Sequence, residues 1–111
     1  MAGAVFTIPT GFPVLIMRLH QINQLDYPVT LEKTWQNSLQ TGDHILLIED
    51  GFLRIIQQTT AMQTLLEKTG TELYYLQSDA QAYGLTPKLG IALSDDEWVD
   101  LTFAADANIS W

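Results

Sequence analysis

The sequence predicts an α/β fold: a single-domain three-layer sandwich with a mainly parallel four- to five-stranded sheet. Three observations lead there. Strand-type and helix-type patterns alternate at short spacing along the chain. The strand-type segments are unbroken apolar runs rather than alternating ones, as expected of strands buried on both faces by helices. A chain of 111 residues, 47% hydrophobic and 16% charged, is enough for one buried core, which disfavours intrinsic disorder.

Val14 to Leu19 is nearly unbroken apolar and too short for a buried helix, so it reads as the first strand. Met17 opens the polar-flanked stretch MRLHQINQ. Residues 1–16, with Pro9, Gly11 and Pro13, therefore read as an N-terminal extension or as an upstream-extended start, ahead of a domain over 17–111. Leu31, Trp35 and Leu39 recur at i, i+4 and i+8, which predicts a helix from Leu31 to Gln40 with Thr30 as N-cap and Gly42 as its stop. Ile45 to Ile48 is the second strand, ended by Glu49-Asp50-Gly51.

Phe52 to Gln57 and Ala61 to Lys68 read as helical, with Met62, Leu65 and Leu66 facing inward and Gly70 closing the second piece. Leu73 to Leu76 is a third strand. Ser78 caps a short helix through Ala82, and Gly84 suits its left-handed end. Ile91 to Leu93 reads as a short strand. Ser94 caps a last helix whose first turn holds Asp95, Asp96 and Glu97, favourable at the positive end of the helix dipole. Asn108 to Trp111 is a tail or a final strand.

Composition narrows the function. A net charge of -8 argues against a phosphate-reading nucleic-acid module. With no cysteine, the chain has no disulfide, thiolate metal ligand or thiol nucleophile. No apolar run approaches the roughly 18–20 residues of a membrane span. The N-terminus lacks a charged leader with a small-residue cleavage site, so a cytoplasmic protein is expected. No G-x-G-x-x-G or Walker-type loop occurs, which disfavours a nucleotide cofactor. His20 and His44 lack ligand spacing, so no metal site is expected. No cofactor is expected either.

Candidate contact residues remain. Glu49, Asp50 and Gly51 stand beyond a strand's carboxyl end, where open α/β sheets bind ligands; the plainer reading makes Asp50 a helix cap and Gly51 a turn residue. His20 flanks another strand, and a pocket formed with Glu49 and Asp50 would suit a stand-alone small-ligand-binding protein or homo-oligomer. Trp35 reads as core. Trp98, Trp111 and Tyr83 are candidates for partner contact or for packing back on the domain. From Leu89 to Trp111 there are five carboxylates and no Lys or Arg, a one-sign surface that can steer a basic partner.

Several segments taken together resemble the DsrH/TusB family of the DsrEFH/TusBCD sulfur-relay group. They are Leu19-His20, Thr41-Gly42-Asp43 before Leu46-Leu47-Ile48-Glu49-Asp50-Gly51, Leu73-Tyr74-Tyr75-Leu76 with Asp79 and Gly84-Leu85, Trp98-Val99-Asp100-Leu101-Thr102, and Trp111. The resemblance runs from about Met17 to Trp111. It implies a DsrE-like fold and a cytoplasmic bacterial subunit that assembles with TusC/DsrF-like and TusD/DsrE-like partners, typically as a heterohexamer. It further implies a complex that passes persulfide sulfur toward 2-thiolation of the tRNA wobble uridine, or, in the Dsr branch, one that serves sulfur oxidation. The sulfur-carrying cysteine of such a complex belongs to the TusD/DsrE-like partner. This chain also departs from the family. Its first helix lacks the cysteine that relatives can carry there, and Tyr83 stands where many relatives have Arg. A thiol-free chain of this family is expected to be a non-catalytic subunit that touches tRNA only indirectly.

Overall fold

The computed structural model describes residues 17–111. Five strands alternate with five helices: β1 (Arg18–Ile22), α1 (Val29–Asn37), β2 (His44–Leu47), a 3₁₀ turn (Glu49–Leu53), α2 (Arg54–Gln57), α3 (Thr59–Thr69), β3 (Glu72–Leu76), α4 (Gln77–Tyr83), β4 (Ile91–Leu93), α5 (Asp95–Ala104) and β5 (Ala107–Ser110). All strand pairs are parallel and the spatial order is β4-β3-β2-β1-β5. The first four strands therefore step in one direction, and the last connection returns across the sheet to the far side of β1. Right-handed crossovers place helices of the outward steps on one face and the helix of the return step on the other.

The two cores follow that arrangement. Ile22, Ile45, Leu47, Leu73 and Tyr75 meet Trp35, Phe52, Ile55 and Met62 beneath α1 to α4. On the opposite face Met17, Leu19, Leu46, Tyr74, Leu76 and Leu93 meet Leu101 of α5, with Trp98 and Ala105 at the margin. Consecutive residues of β2 and β3 serve opposite cores, which is why both runs are apolar throughout. The result is a three-layer sandwich, with four helices on one face and one on the other.

Several boundaries depart from expectation. The first strand among the described residues is Arg18–Ile22 where Val14 to Leu19 was expected, and positions 14–16, with the rest of residues 1–16, lie outside the described residues. Its polar members are buried by partners from elsewhere in the chain, a compensation that an apolar-run argument does not see. Thr30 lies inside α1, whose N-cap position is taken by Pro28. The helix stops at Asn37, and the hydroxyl of Ser38 at its C-cap bonds back to the Trp35 carbonyl at 2.7 Å. Gly42, at φ +91°, shapes the turn into β2 instead of ending the helix. Ser78 lies within α4, which starts at Gln77 directly after β3, while Gly84 closes it in the left-handed region as expected. Ser94 caps α5 in a full capping box with Glu97. The C-terminal segment forms β5 over Ala107–Ser110.

Candidate functional site

The residues singled out in the sequence fall into three places. The first lies beyond the carboxyl ends of β2 and β3. Glu49 has φ +51°, the one non-glycine residue in the left-handed region among the described residues. Its amide donates to Asp79 Oδ2 at 2.9 Å, so α4 holds this turn in place. Asp50 does not cap the following helix; its Oδ1 accepts a hydrogen bond from the Tyr83 hydroxyl. Tyr83 stacks on Phe52, with centroids 5.7 Å apart and planes 15° from parallel. The hydrogen bond to Asp50 is the main cause that holds the Tyr83 phenol above its ordinary pKa, followed by desolvation and by the carboxylates of Asp50, Asp79 and Glu49. It is therefore a donor at neutral pH.

Gly51 is needed here for space rather than for an unusual backbone angle. A Cβ at this position would stand 2.1 Å from the Ile22 carbonyl oxygen, so the 3₁₀ turn rests directly on the end of β1. The Ile48 amide donates to that same oxygen at 3.0 Å. Glu49, Asp50, Gly51, Asp79 and Tyr83 thus share one corner, and two sequence motifs that are some thirty residues apart meet there.

His20 is not part of that corner. It lies fully buried in β1, with Nε2 at 2.8 Å from Asp43 Oδ2 and Nδ1 accepting from the Trp111 indole at 3.1 Å. Because an indole N–H only donates, His20 carries its proton on Nε2 and donates to Asp43. The Trp111 ring lies nearly parallel to the imidazole, at 5° and 6.1 Å, and its backbone amide donates to the Gln21 carbonyl. Asp43 also accepts from Arg18 Nη2 at 2.8 Å and from the Gln40 amide at 3.1 Å. Burial pushes the Asp43 carboxyl up, but Arg18, His20 and the Gln40 amide together bring it below its usual value. Arg18 further donates to the Ser38 carbonyl at the end of α1. The chain's own Trp111 thus sits just past β5, at the β1–β5 switch point where α/β sheets often bind ligands.

Trp98 lies on the other face, half-buried against the α5 core. No sequence pattern marks Arg18 and Asp43 as a pair, nor Glu32 and Arg54. Arg54 is buried and forms a bidentate pair with Glu32 at 2.7 and 2.9 Å, while its guanidinium lies over the Tyr27 and Trp35 rings. Charged residues inside apolar patterns were the available signal. Among the described residues no group of three or more His, Asp or Glu side chains is placed to hold a metal ion, and no helix is long and apolar enough to cross a membrane.

The fold and these three clusters define an α/β unit whose strand ends present carboxylates and a phenol, without a thiol. A family model described as DsrH like protein matches residues 19–108, and the chain belongs to the DsrH family. It is accordingly a sulfur-relay subunit, a component of a complex with other such subunits. Comparison with curated proteins finds no match.

Proposed function

We propose that this chain is a non-catalytic, TusB-like subunit of a cytoplasmic sulfurtransferase complex that supports persulfide transfer for 2-thiolation of the tRNA wobble uridine. The observation that carries the reading is a DsrH-family domain without cysteine. Persulfide relay requires a thiolate on each carrier, so sulfur travels on the thiol of the TusD/DsrE-like partner while this chain shapes or covers that site. Glu49, Asp50, Gly51 and Tyr83, fixed at the strand ends, are the residues proposed to face that site. His20 and Trp111 lock the C-terminus onto the sheet and hold the subunit in shape. The acidic surface fits a role in which tRNA is met through the partners. The test is the 2-thiouridine content of tRNA from cells that lack this chain. The expected result is a large loss that is restored by re-expression; unchanged thiolation contradicts the proposal.

A further inference from the structure

The face of the sheet covered by α5 is thinly clad and chemically one-sided. Asp96, Val99, Asp100 and Phe103 are all exposed and recur at i, i+3, i+4 and i+7, so they form one outward ridge. Phe103 is 84% exposed and Val99 49%, although both are apolar. Beside the ridge runs a groove of ≈ 440 Å³ between α5 and the β3–β4 edge. Its floor is Tyr74, Leu93 and Leu101, and its walls carry Glu72, Glu97 and Asp100. His44, buried behind Tyr74, has Nδ1 without a hydrogen-bond partner among the described residues, 3.9 Å from Glu72 Oε2.

Charge is distributed unevenly around this face. Every Lys and Arg of the chain lies at or before Lys88. Arg18 and Arg54 are engaged in ion pairs with Asp43 and Glu32. Lys33 and Lys68 belong to α1 and α3 on the opposite side of the sheet, and Lys88 lines a pocket with Ile55 and Ile56 of α2 on that same side. The α5 side thus presents carboxylates around an apolar strip, with no basic residue from 89 to 111.

We propose that the α5 ridge and its groove dock a basic segment of a partner relay subunit. Lys or Arg headgroups enter between Glu72, Glu97 and Asp100, their stems lie on Tyr74 and Leu101, and an apolar side chain covers Phe103. An aliphatic stem below a cationic head matches a groove with an apolar floor and acidic walls. The inference rests on the relay-subunit reading and names the surface that reading leaves open.

The experiment is assembly of the full chain with its two co-expressed homologous subunits, followed by affinity measurement at low and high salt. Phe103→Asp and Asp100→Lys are each expected to weaken assembly at least tenfold. They should keep the wild-type melting profile, because these side chains are exposed. Wild-type affinity should fall as salt rises. Glu67→Lys, on α3, serves as the control and should assemble normally. Normal assembly of the Phe103 and carboxylate variants would overturn the docking surface while the relay reading stands. Failure of the wild-type chain to assemble at all would overturn both. Self-association of the isolated chain that Phe103→Asp abolishes, with assembly unaffected, would assign the ridge to a second copy and overturn the inference too.

Discussion

Replacing Gly51 with alanine puts the close packing of the strand-end corner to a direct test. At an ordinary position Gly→Ala stabilises a protein by about 0.4–1 kcal/mol, because it restricts the unfolded chain. Here the new methyl would lie 2.1 Å from the Ile22 oxygen, 2.9 Å from the Ile22 carbonyl carbon and 3.3 Å from the Asn23 Cα. All three are backbone atoms, so no side chain can swing aside. Either the 3₁₀ turn lifts from β1 and the Ile48–Ile22 hydrogen bond goes, or the end of β1 bends. Overpacking costs about 1–3 kcal/mol and a lost buried hydrogen bond about 1 kcal/mol, so after the unfolded-chain gain a net loss of about 2 kcal/mol is expected. For a domain of this size, that lowers Tm by roughly 8 °C or more. Gly84→Ala is the comparison: φ is +67° but nothing lies within 4 Å, so the left-handed backbone penalty of about 1–2 kcal/mol, less the same gain, leaves about 1 kcal/mol. Urea unfolding of both variants gives the ordering. A Gly51→Ala protein as stable as wild type, or less affected than Gly84→Ala, would refute the steric argument.

Other outcomes follow from the buried polar groups. Asp43→Ala strips Arg18 and His20 of their shared acceptor and should cost about 3 kcal/mol in urea unfolding. Because the Asp43 carboxyl is lowered in the folded state, its contribution is present above the unfolded carboxyl value of about 3.9 and is lost as pH falls further. The acid limb of the wild-type pH–stability profile should therefore be steeper than that of the variant. His44 is pushed below its ordinary pKa, chiefly by burial. Its contribution is thus present above about pH 6.5 and lost as pH falls below it, and His44→Phe should remove that part of the pH dependence. Trp111→Phe keeps a ring beside His20 but removes the N–H, and should cost about 1 kcal/mol; nitrogen NMR of the wild type should show His20 protonated on Nε2 only.

Much of this architecture was legible from pattern. Ile45 to Ile48 and Leu73 to Leu76 read as doubly buried strands because their alternate residues feed opposite cores. Ser94, Gly70 and Gly84 were readable as caps because their roles depend on local backbone chemistry alone. The polar interior was not. Arg18 and His20 are acceptable in β1 only because Asp43, twenty-odd residues on, arrives at the end of the neighbouring strand. No local period encodes that meeting. The same holds for Arg54, whose partner Glu32 lies on another helix. At the strand-end corner the residue types were recognisable, but their roles were not: Asp50 pairs with Tyr83 rather than capping a helix, and Gly51 answers to a carbonyl of β1. Grouping His20 with Glu49 and Asp50 in one pocket failed because adjacency to strands does not say which end or layer a side chain occupies.

Native mass spectrometry of the full chain, co-expressed with the TusC/DsrF-like and TusD/DsrE-like subunits proposed as its partners, decides whether it works as one subunit among several or alone. One assembly containing all three chains in equal number, as two heterotrimers, is expected. A 12.5 kDa species that remains separate while the other two chains assemble without it would show that this chain is not a subunit of that complex.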